Sequence, residues 1–122
     1  MKGRRKEMIR EELHATLQQG LGVPVVHSEY GMTELMSQAY AQGGSRFTPA
    51  AWMHVLLRDP YDPLSYVAPG KTGGINMIDL ANLHSCAFIE TGDLGRAVGD
   101  GQFEVLGRFD DADIRGCNLL VQ

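Results

Sequence analysis

Residues 29–34 read Glu-Tyr-Gly-Met-Thr-Glu, and this stretch separates two parts of the chain that differ in their predicted structure. Before it, residues 6–21 predict an amphipathic helix, whose apolar stripe consists of Ile9, Leu13, Leu17 and Leu21. Residues 23–27, Val-Pro-Val-Val-His, are a short β-branched run that predicts a strand, and we expect a buried parallel one. Open α/β sheets place ligand-binding groups directly after such strands, so residues 29–34 lie at a predicted binding edge.

The part of the chain after residue 41 predicts antiparallel strands joined by tight turns. Residues 42–49 are polar and contain glycine, which predicts a loop. The strand candidates that follow are residues 52–57, 75–80, 86–90, 95–98 and 102–106. Gly99-Asp100-Gly101, between the last two, is typical of a hairpin turn. The predicted fold class is therefore α+β, with a short αβ unit over residues 1–41 and a small antiparallel β-barrel-like subdomain over residues 42–122.

Length and composition disfavour several classes of protein. A chain of 122 residues is enough for one compact domain or for a piece of a larger one. The net charge of −4 does not favour a nucleic-acid partner, and the basic residues 2–6 are followed by acidic ones, as on a solvated helix start. No apolar run approaches the roughly 20 residues that span a bilayer, so we expect no membrane span. The two cysteines predict free thiols and a cytoplasmic location.

Two later segments extend the pattern of residues 29–34. Residues 90–95 read Glu-Thr-Gly-Asp-Leu-Gly, and residues 106–110 read Leu-Gly-Arg-Phe-Asp. In this order and at roughly these spacings, the three segments resemble the nucleotide-handling motifs of acyl-adenylate-forming ligases. The resemblance implies a partial copy of that superfamily's fold, ATP or AMP and Mg²⁺ as cofactors, and activation of a carboxylic acid as acyl-AMP.

The resemblance implies a role for each key residue of the first motif, and the side-chain chemistry suits these roles. Tyr30 offers a flat face for stacking on a base, and Gly31 lets the backbone approach a nucleotide. Thr33 offers a hydroxyl to a phosphate oxygen, and Glu34 offers a hard oxygen ligand to Mg²⁺. Taken singly, Tyr30 is equally compatible with a packing aromatic, and Thr33 with Glu34 is compatible with a helix start.

The two later motifs add the ribose side of the implied site. Asp93 can accept hydrogen bonds from both ribose hydroxyls, and Arg108 can contact the ribose or a phosphate. The structural alternatives are a turn residue for Asp93 and a surface cation for Arg108. The ordered set of three motifs, rather than any one residue, favours nucleotide binding.

A narrower resemblance extends over most of the chain. Residues 3–7, 10–13, 27–35 and 113–120 look like the acyl-protein synthetase of bacterial bioluminescence and its relatives. This implies a fatty acid that is activated as acyl-AMP and then transferred to a cysteine near the C-terminus, where this chain has Cys117. A thiolate suits the transfer because it is a soft nucleophile that attacks the mixed anhydride and leaves a thioester. The predicted catalytic residues are thus Thr33 and Cys117, although Cys117 is equally typical of a small buried residue in a short strand.

The matched residues correspond to the C-terminal portion of such an enzyme. A phosphate-binding loop and the acyl pocket would lie upstream, and nothing before Glu29 resembles that loop. We therefore expect the chain alone to be inactive and to self-associate through uncovered strand edges. The expected partners are a fatty or other carboxylic acid and a thiol acceptor, which is the chain's own cysteine, a partner protein or CoA.

Two alternatives stay open, and two further kinds of site are disfavoured. The chain is also compatible with a fragment of an acyl- or aryl-CoA ligase, in which Cys117 is inert, or with a non-catalytic nucleotide-binding or interaction module. A structural zinc site is disfavoured because only His84 and Cys86 are close and no Cys-x₂-Cys or His-x₃-His spacing is present. Cys86 lies in an apolar run and is expected in the core. The absence of a Gly-x-Ser-x-Gly elbow disfavours a hydrolase triad.

Overall fold

The structure is a computed structural model that describes residues 8–109, and these residues form one α-helix and a seven-stranded sheet. The helix is α1 (Arg10–Leu21). The strands are β1 (Ser28–Tyr30), β2 (Ala39–Ala41), β3 (Arg46–Pro49), β4 (Met53–Arg58), β5 (Thr72–Asp79), β6 (Phe88–Gly99) and β7 (Gln102–Arg108). All neighbouring strands pair antiparallel, in the order β1-β2-β3-β7-β6-β5-β4.

Helix α1 matches the described part of the predicted helix. Residues 6 and 7 of the prediction lie outside the described residues. The helix ends at Gly22, whose φ of 66° is the left-handed conformation that commonly terminates helices. None of its residues is buried, and Ile9, Leu13 and Leu21 of the predicted apolar stripe are 67%, 43% and 68% exposed. The stripe is therefore present, but it does not enter the core of the described residues.

Polar contacts attach α1 to the sheet. His14 Nε2 lies 3.0 Å from Ser28 Oγ at the start of β1. The Arg10 guanidinium carbon lies 5.0 Å from the ring centroid of Phe47, in a cation–π contact with β3. Within residues 8–109, no helix is both long enough and apolar enough to cross a membrane.

The predicted parallel strand over residues 23–27 is wrong. The backbone groups of this segment bond to the end of α1, because Val23 N–H donates to Gln18 O (3.3 Å) and Gln18 Nε2 donates to Pro24 O (2.8 Å). Pro24 itself has no N–H to offer a neighbouring strand. The strand begins later, at Ser28, and pairs antiparallel with β2.

The predicted loop over residues 42–49 is wrong in its second half, where the chain forms β3. Phe47 explains the strand, since its side chain is 2% exposed and pairs with Phe103 of β7. Strand β3 also pairs with β2, through Ala39 opposite Pro49. One sheet therefore contains strands from both sides of the predicted boundary at residue 41.

The sheet is open, so the expected β-barrel-like closure is not present in the described residues. Strands β1 and β4 are its edges. The loop that follows β4 folds back along the outer edge of that strand: Val67 N–H donates to Leu57 O (3.0 Å), and Tyr66 forms a bridge with Arg58. These bonds use backbone groups of β4 that a closing strand would need.

The strands predicted over residues 52–57, 75–80 and 102–106 are confirmed in outline. The two strands predicted over residues 86–90 and 95–98 are instead one continuous strand, β6, so the alternative of a turn residue for Asp93 is wrong. Strands β4 and β5 pair in continuous register from Met53 opposite Asp79 to Arg58 opposite Gly74. The predicted hairpin between β6 and β7 is present, and its turn residues Asp100 and Gly101 have φ of 52° and 72°. Both values lie in the left-handed region that tight hairpin turns require.

The core lies along one face of the sheet and is centred on three aromatic rings. The ring of Tyr30 meets those of Phe47 and Phe103 edge-on, with centroid distances of 6.0 and 5.5 Å. The two phenylalanine rings stack at 5.7 Å. The other buried members of this cluster are Leu35, Ala39, Ala41, Met53, Leu57, Ile75 and Met77. One residue of the first motif, Tyr30, therefore belongs to the core.

Candidate functional site

Three residues from the three sequence motifs meet at one place in the sheet. The Tyr30 hydroxyl at the end of β1 donates to Asp93 Oδ2 of β6 at 2.8 Å, across 63 positions of sequence. Arg108, which pairs with Asp93 in the β6–β7 register, places its Nε 3.8 Å from Asp93 Oδ1. The structure therefore brings together Tyr30, Asp93 and Arg108, which the sequence had only suggested were related.

The backbone of Asp93 is held in place by Thr91, the threonine of the same motif. Its backbone N–H donates to Thr91 Oγ1 at 3.1 Å, and that hydroxyl donates to Ile75 O of β5 at 2.8 Å. Thr91 is 6% exposed, whereas the side chains of Asp93 and Arg108 are 19% and 58% exposed. The carboxylate of Asp93 is thus fixed at its base and still reached by solvent, as a ligand-binding acceptor needs to be.

Tyr30 is a proton donor whose ring is almost entirely covered. Burial raises the pKa of the Tyr30 hydroxyl well above its ordinary value, and the hydrogen bond to the Asp93 carboxylate raises it further. The side chain is 8% exposed, so little of the ring face is open for stacking on a base. Its role in base stacking stays a prediction, but the packing-aromatic alternative matches the observed position.

Thr33 and Glu34 are exposed on the loop of residues 31–38, between β1 and β2, whereas Leu35 and Ser37 of the same loop are buried. Gly31, also exposed, begins this loop directly after Tyr30. The Thr33 hydroxyl donates to Glu34 Oε2 at 3.1 Å. The alternative of a helix start is wrong, because the residues that follow form turns and bends rather than a helix.

Glu34 suits one part of a Mg²⁺ site and no more. Within residues 8–109, no group of three or more His, Cys, Asp or Glu side chains is placed to hold a metal ion. Mg²⁺ is commonly held by one or two carboxylates together with water and substrate phosphates. A single exposed carboxylate therefore fits a metal that arrives with a nucleotide rather than one resident in the protein.

Of the two cysteines, Cys86 is the one within the described residues. Cys117, the predicted acyl acceptor, lies outside the described residues. Cys86 was expected in the core, and this is wrong: it is exposed, and its thiol donates to Phe88 O at 3.3 Å. The apolar run that suggested burial begins one residue later, where Ala87 is 6% exposed.

A buried arginine that the sequence reasoning missed supports the Thr91 end of the site. Arg58, at the end of β4, is 6% exposed and donates through Nη2 to Thr91 O (2.7 Å). Its Nη1 donates to Asn76 Oδ1 (2.7 Å) and to a main-chain oxygen of β5. The guanidinium fits only because its register partner is Gly74, where a Cβ would lie 2.5 Å from Arg58 Cζ. The available sequence signals were an arginine at the end of an apolar run and the pair Gly73-Gly74 in the next strand.

A buried aspartate, also missed, holds the loop of the first motif. Asp79 at the end of β5 is 0% exposed and accepts hydrogen bonds from the Met36 and Ser37 main chain, the Ser37 hydroxyl and the Ala81 N–H. Burial alone raises the pKa of Asp79, but the hydrogen bonds from Ser37, Met36 and Ala81 outweigh it and hold the pKa below its usual range. The carboxyl is therefore ionised at neutral pH. A carboxylate within the apolar run 75–80 was its signal.

An open cavity in the described residues does not coincide with the motif residues. It has a volume of about 380 Å³ and lies beside the β2–β3 turn and β7. Its lining residues are Gln42, Gly44, Ser45, Arg46, Thr48 and Gln102. None of the predicted site residues is among them, so we place the candidate site at the Asp93 cluster, where the three motifs meet.

Comparison with known proteins gives a match at the level of structure. No protein-family model matches the chain, and no curated protein matches it. The solved structure of the luciferase-like enzyme from the nonluminescent mealworm Zophobas morio aligns with 85% of the chain, at 17% sequence identity and a TM-score of 0.52. The likeness is one of fold. The chain spans 30% of the length of that enzyme, so the described residues resemble part of a luciferase-like fold.

Proposed function

We propose that this chain is the C-terminal part of an ATP-dependent acid–thiol ligase that activates a fatty or other carboxylic acid as acyl-AMP. In this proposal the acyl group passes to a cysteine thiol, and Cys117 is its acceptor, as in the acyl-protein synthetases. The nucleotide contacts are made by residues of the three motifs. The chain alone is inactive, because the phosphate-binding loop and the acyl pocket belong to a larger parent protein.

The observation that carries the proposal is the meeting of Tyr30, Asp93 and Arg108. Residues from three motifs that resemble those of adenylate-forming ligases meet at the carboxylate of Asp93. Two of them, Tyr30 and Asp93, are 63 positions apart in the sequence. The fold shared with part of a luciferase-like enzyme supports the same superfamily. It does not separate the acyl-protein synthetases from other branches, so that finer assignment rests on the sequence resemblance.

The geometry supports a division of roles between the two exposed groups of residues. Asp93 has one oxygen bonded by Tyr30 and a second oxygen that faces Arg108 at 3.8 Å, which suits an acceptor for ribose hydroxyls beside a cation for phosphate. Thr33 and Glu34 present a hydroxyl and a carboxylate from the neighbouring loop. Mg²⁺ bound there with the nucleotide would supply charge neutralisation at the phosphates.

Titration calorimetry of the 122-residue chain with AMP and with a non-hydrolysable acyl-AMP analogue tests the proposal. We expect measurable but weak binding, with a Kd of about 1 mM or somewhat lower, because only part of a nucleotide site is present. Asp93→Asn should weaken it at least about tenfold, since hydrogen bonds to charged groups contribute about 1.5–3 kcal/mol. Asp100→Asn makes the same chemical change in the β6–β7 turn and should leave the affinity unchanged.

Two results would contradict the proposal. The first is no detectable binding of either compound by the wild-type chain. The second is equal binding by Asp93→Asn and the wild type.

The acceptor is tested separately in the full-length parent protein by Cys117→Ser. Loss of the acylated protein with adenylation retained supports Cys117 as acceptor, whereas unchanged formation of a CoA thioester favours the acyl- or aryl-CoA ligase.

The burial of Tyr30 favours a second candidate, a non-catalytic nucleotide-binding or interaction module. A ring that is 8% exposed and bonded to Asp93 acts as a structural element of the sheet. In that case motif residues would serve the fold and Asp93→Asn would lower stability without changing any nucleotide affinity. The affinity for AMP and the free energy of unfolding in urea, measured together on this variant, distinguish the two candidates, because only the first candidate requires weaker binding of AMP.

A further inference from the structure

The loop that carries Thr33 and Glu34 is tied to the sheet by the buried carboxylate of Asp79. Asp79 Oδ2 accepts the Met36 and Ser37 N–H groups, each at 2.9 Å, and Oδ1 accepts the Ser37 hydroxyl at 2.8 Å. These contacts join the end of β5 to residues 42 or 43 positions earlier in the chain. The loop is thus attached to a strand at the opposite side of the sheet from β1.

A second side chain, Asn82, fixes the same loop at Glu34, the residue next to Thr33. Asn82, 7% exposed, donates through Nδ2 to Glu34 O at 2.8 Å and to Cys86 O at 3.0 Å. It lies in the short 3₁₀ turn Leu80–Asn82, whose N-cap is Asp79 itself. One turn after β5 therefore supplies both attachments, one at Glu34 and one at Met36 and Ser37.

The charge on Asp79 is best explained by this attachment. A buried ionised carboxylate is costly unless hydrogen bonds replace its hydration. All four of its partners come from the loop or from the 3₁₀ turn, since Ala81 N–H donates to Oδ1 at 3.1 Å. Trp52 extends the network, because its Nε1 donates to Ser37 Oγ at 2.7 Å. An apolar residue at position 79 would fill the space but would leave the loop N–H groups without an acceptor.

We infer that Asp79 is a positioning residue that sets where the Thr33 hydroxyl and the Glu34 carboxylate are presented to a nucleotide. The inference rests on the proposed function for the identity of the ligand. It adds a residue that no motif contains. Asp79 is 0% exposed, and it acts through the main chain of Met36 and Ser37.

The test compares Asp79→Asn with the wild type in the 122-residue chain by three measurements. These are the affinity for AMP in the presence of Mg²⁺, the free energy of unfolding in urea, and the rate of amide hydrogen exchange in residues 32–38. In asparagine one of the two oxygens becomes an NH₂ donor, which faces either the Met36 and Ser37 N–H groups or the Ala81 N–H and the Ser37 hydroxyl. We therefore expect an affinity loss of at least about tenfold and exchange in the loop faster by a similar factor.

A matched variant separates positioning from a general loss of stability. Leu57→Val removes a methylene group from the β4 part of the core, far from the loop contacts, and Leu57→Ala removes more. The member of this pair whose unfolding free energy is nearer to that of Asp79→Asn is the control. It should bind AMP as the wild type does and should leave loop exchange unchanged relative to the sheet.

The outcomes are distinct for the inference and for the proposed function. Equal AMP affinity of Asp79→Asn and the control overturns the inference, and so does unchanged exchange in residues 32–38. If the wild type binds no AMP, the proposed function fails, and the exchange rates alone then support or overturn the positioning of the loop. Should Asp79→Asn not fold, Ser37→Ala removes one donor to Asp79 and should give the same changes with smaller size.

Discussion

The two halves of the candidate site differ in how deeply they are built into the fold. Tyr30 and Thr91 are buried, and the hydrogen bonds of Tyr30, Thr91 and Asp93 connect strands β1, β5 and β6. Thr33 and Glu34 are exposed, and their side chains contact each other. Residues of one motif therefore differ in role, since Tyr30 is part of the core and Thr33 is on the surface. Substitutions in the buried half should change stability, whereas those in the exposed half should change binding alone.

The largest expected effect is that of Arg58→Met, which removes support from the buried half. The substitution leaves Thr91 O, Asn76 and Glu90 without their cation, and we expect a loss of about 3 kcal/mol in unfolding free energy. Urea denaturation followed by circular dichroism measures it. Arg96→Met is the control, since Arg96 is half-exposed in its pair with Glu104 and should cost at most about 1 kcal/mol. Equal losses in the two variants would contradict the buried role of Arg58.

A smaller loss is expected for Tyr30→Phe, which keeps the ring in the core and removes the hydroxyl. The bond from Tyr30 to the Asp93 carboxylate should be worth about 1–2 kcal/mol of unfolding free energy. Tyr40→Phe makes the same change at a side chain that is 49% exposed and should have almost no effect. If Tyr30→Phe is as stable as the wild type, the hydroxyl contributes to function only and the division between the halves fails.

Acidification should lower stability, and one carboxylate outside the site should account for part of the loss. Hydrogen bonds from Arg96 and Ser45 hold the pKa of Glu104 below its ordinary value, despite the opposing effect of burial. The pKa of Asp79 is lowered as well. A carboxyl whose pKa is lower in the folded state stabilises fully at neutral pH, and this contribution is lost as pH falls below about 4 through the folded-state pKa.

The measurement compares unfolding free energy between neutral pH and about pH 3 for the wild type and Glu104→Gln. The loss should be smaller in Glu104→Gln, because one group that takes up a proton on unfolding is gone. Tyr40→Phe, which alters no carboxyl group, should retain the wild-type pH dependence in this range. Identical curves for the wild type and Glu104→Gln would show that its hydrogen bonds do not stabilise the folded state.

The smallest effect on stability is expected in the exposed half. Thr33→Ala and Glu34→Gln should each leave the unfolding free energy within about 0.5 kcal/mol of the wild type. Each should nevertheless weaken binding of AMP with Mg²⁺ in the calorimetric assay. A stability loss comparable with that of Tyr30→Phe would mean that Thr33 and Glu34 also stabilise the fold, and the difference between the halves would no longer hold.

The sequence predicted those features that depend on local patterns. The helix at residues 10–21, strands β4 and β5, and the Asp100–Gly101 turn follow from periodicity and turn residues, and the structure contains them. The strand predicted over residues 23–27 is not present, because a contact with helix α1 decides the conformation there: Gln18 Nε2 donates a hydrogen bond to Pro24 O. Phe47 stands among polar residues, so the burial that makes β3 a strand was not visible in its neighbours.

The sequence predicted which motif residues meet at the candidate site, but not how deeply they are buried or which side chains support them. The motifs named Tyr30, Asp93 and Arg108, and the structure brings them together. The burial of Tyr30 depends on Phe47 and Phe103, which are distant in sequence. Arg58 and Asp79 were missed for a related reason. A charged residue at the end of an apolar strand reads as a strand end until the register shows what lies opposite it.

Helix α1 has a consequence for how the molecule opens. It contributes no buried residue, and in isolation a helix of twelve residues is marginal in water. Its attachment depends on the His14–Ser28 hydrogen bond and on Arg10 over Phe47. We therefore expect α1 to unfold locally at a lower free energy than the sheet, as a separate cooperative unit. A protease would then cut within residues 10–21 while the β5–β6–β7 amides stay protected, and the sheet would outlast its helix.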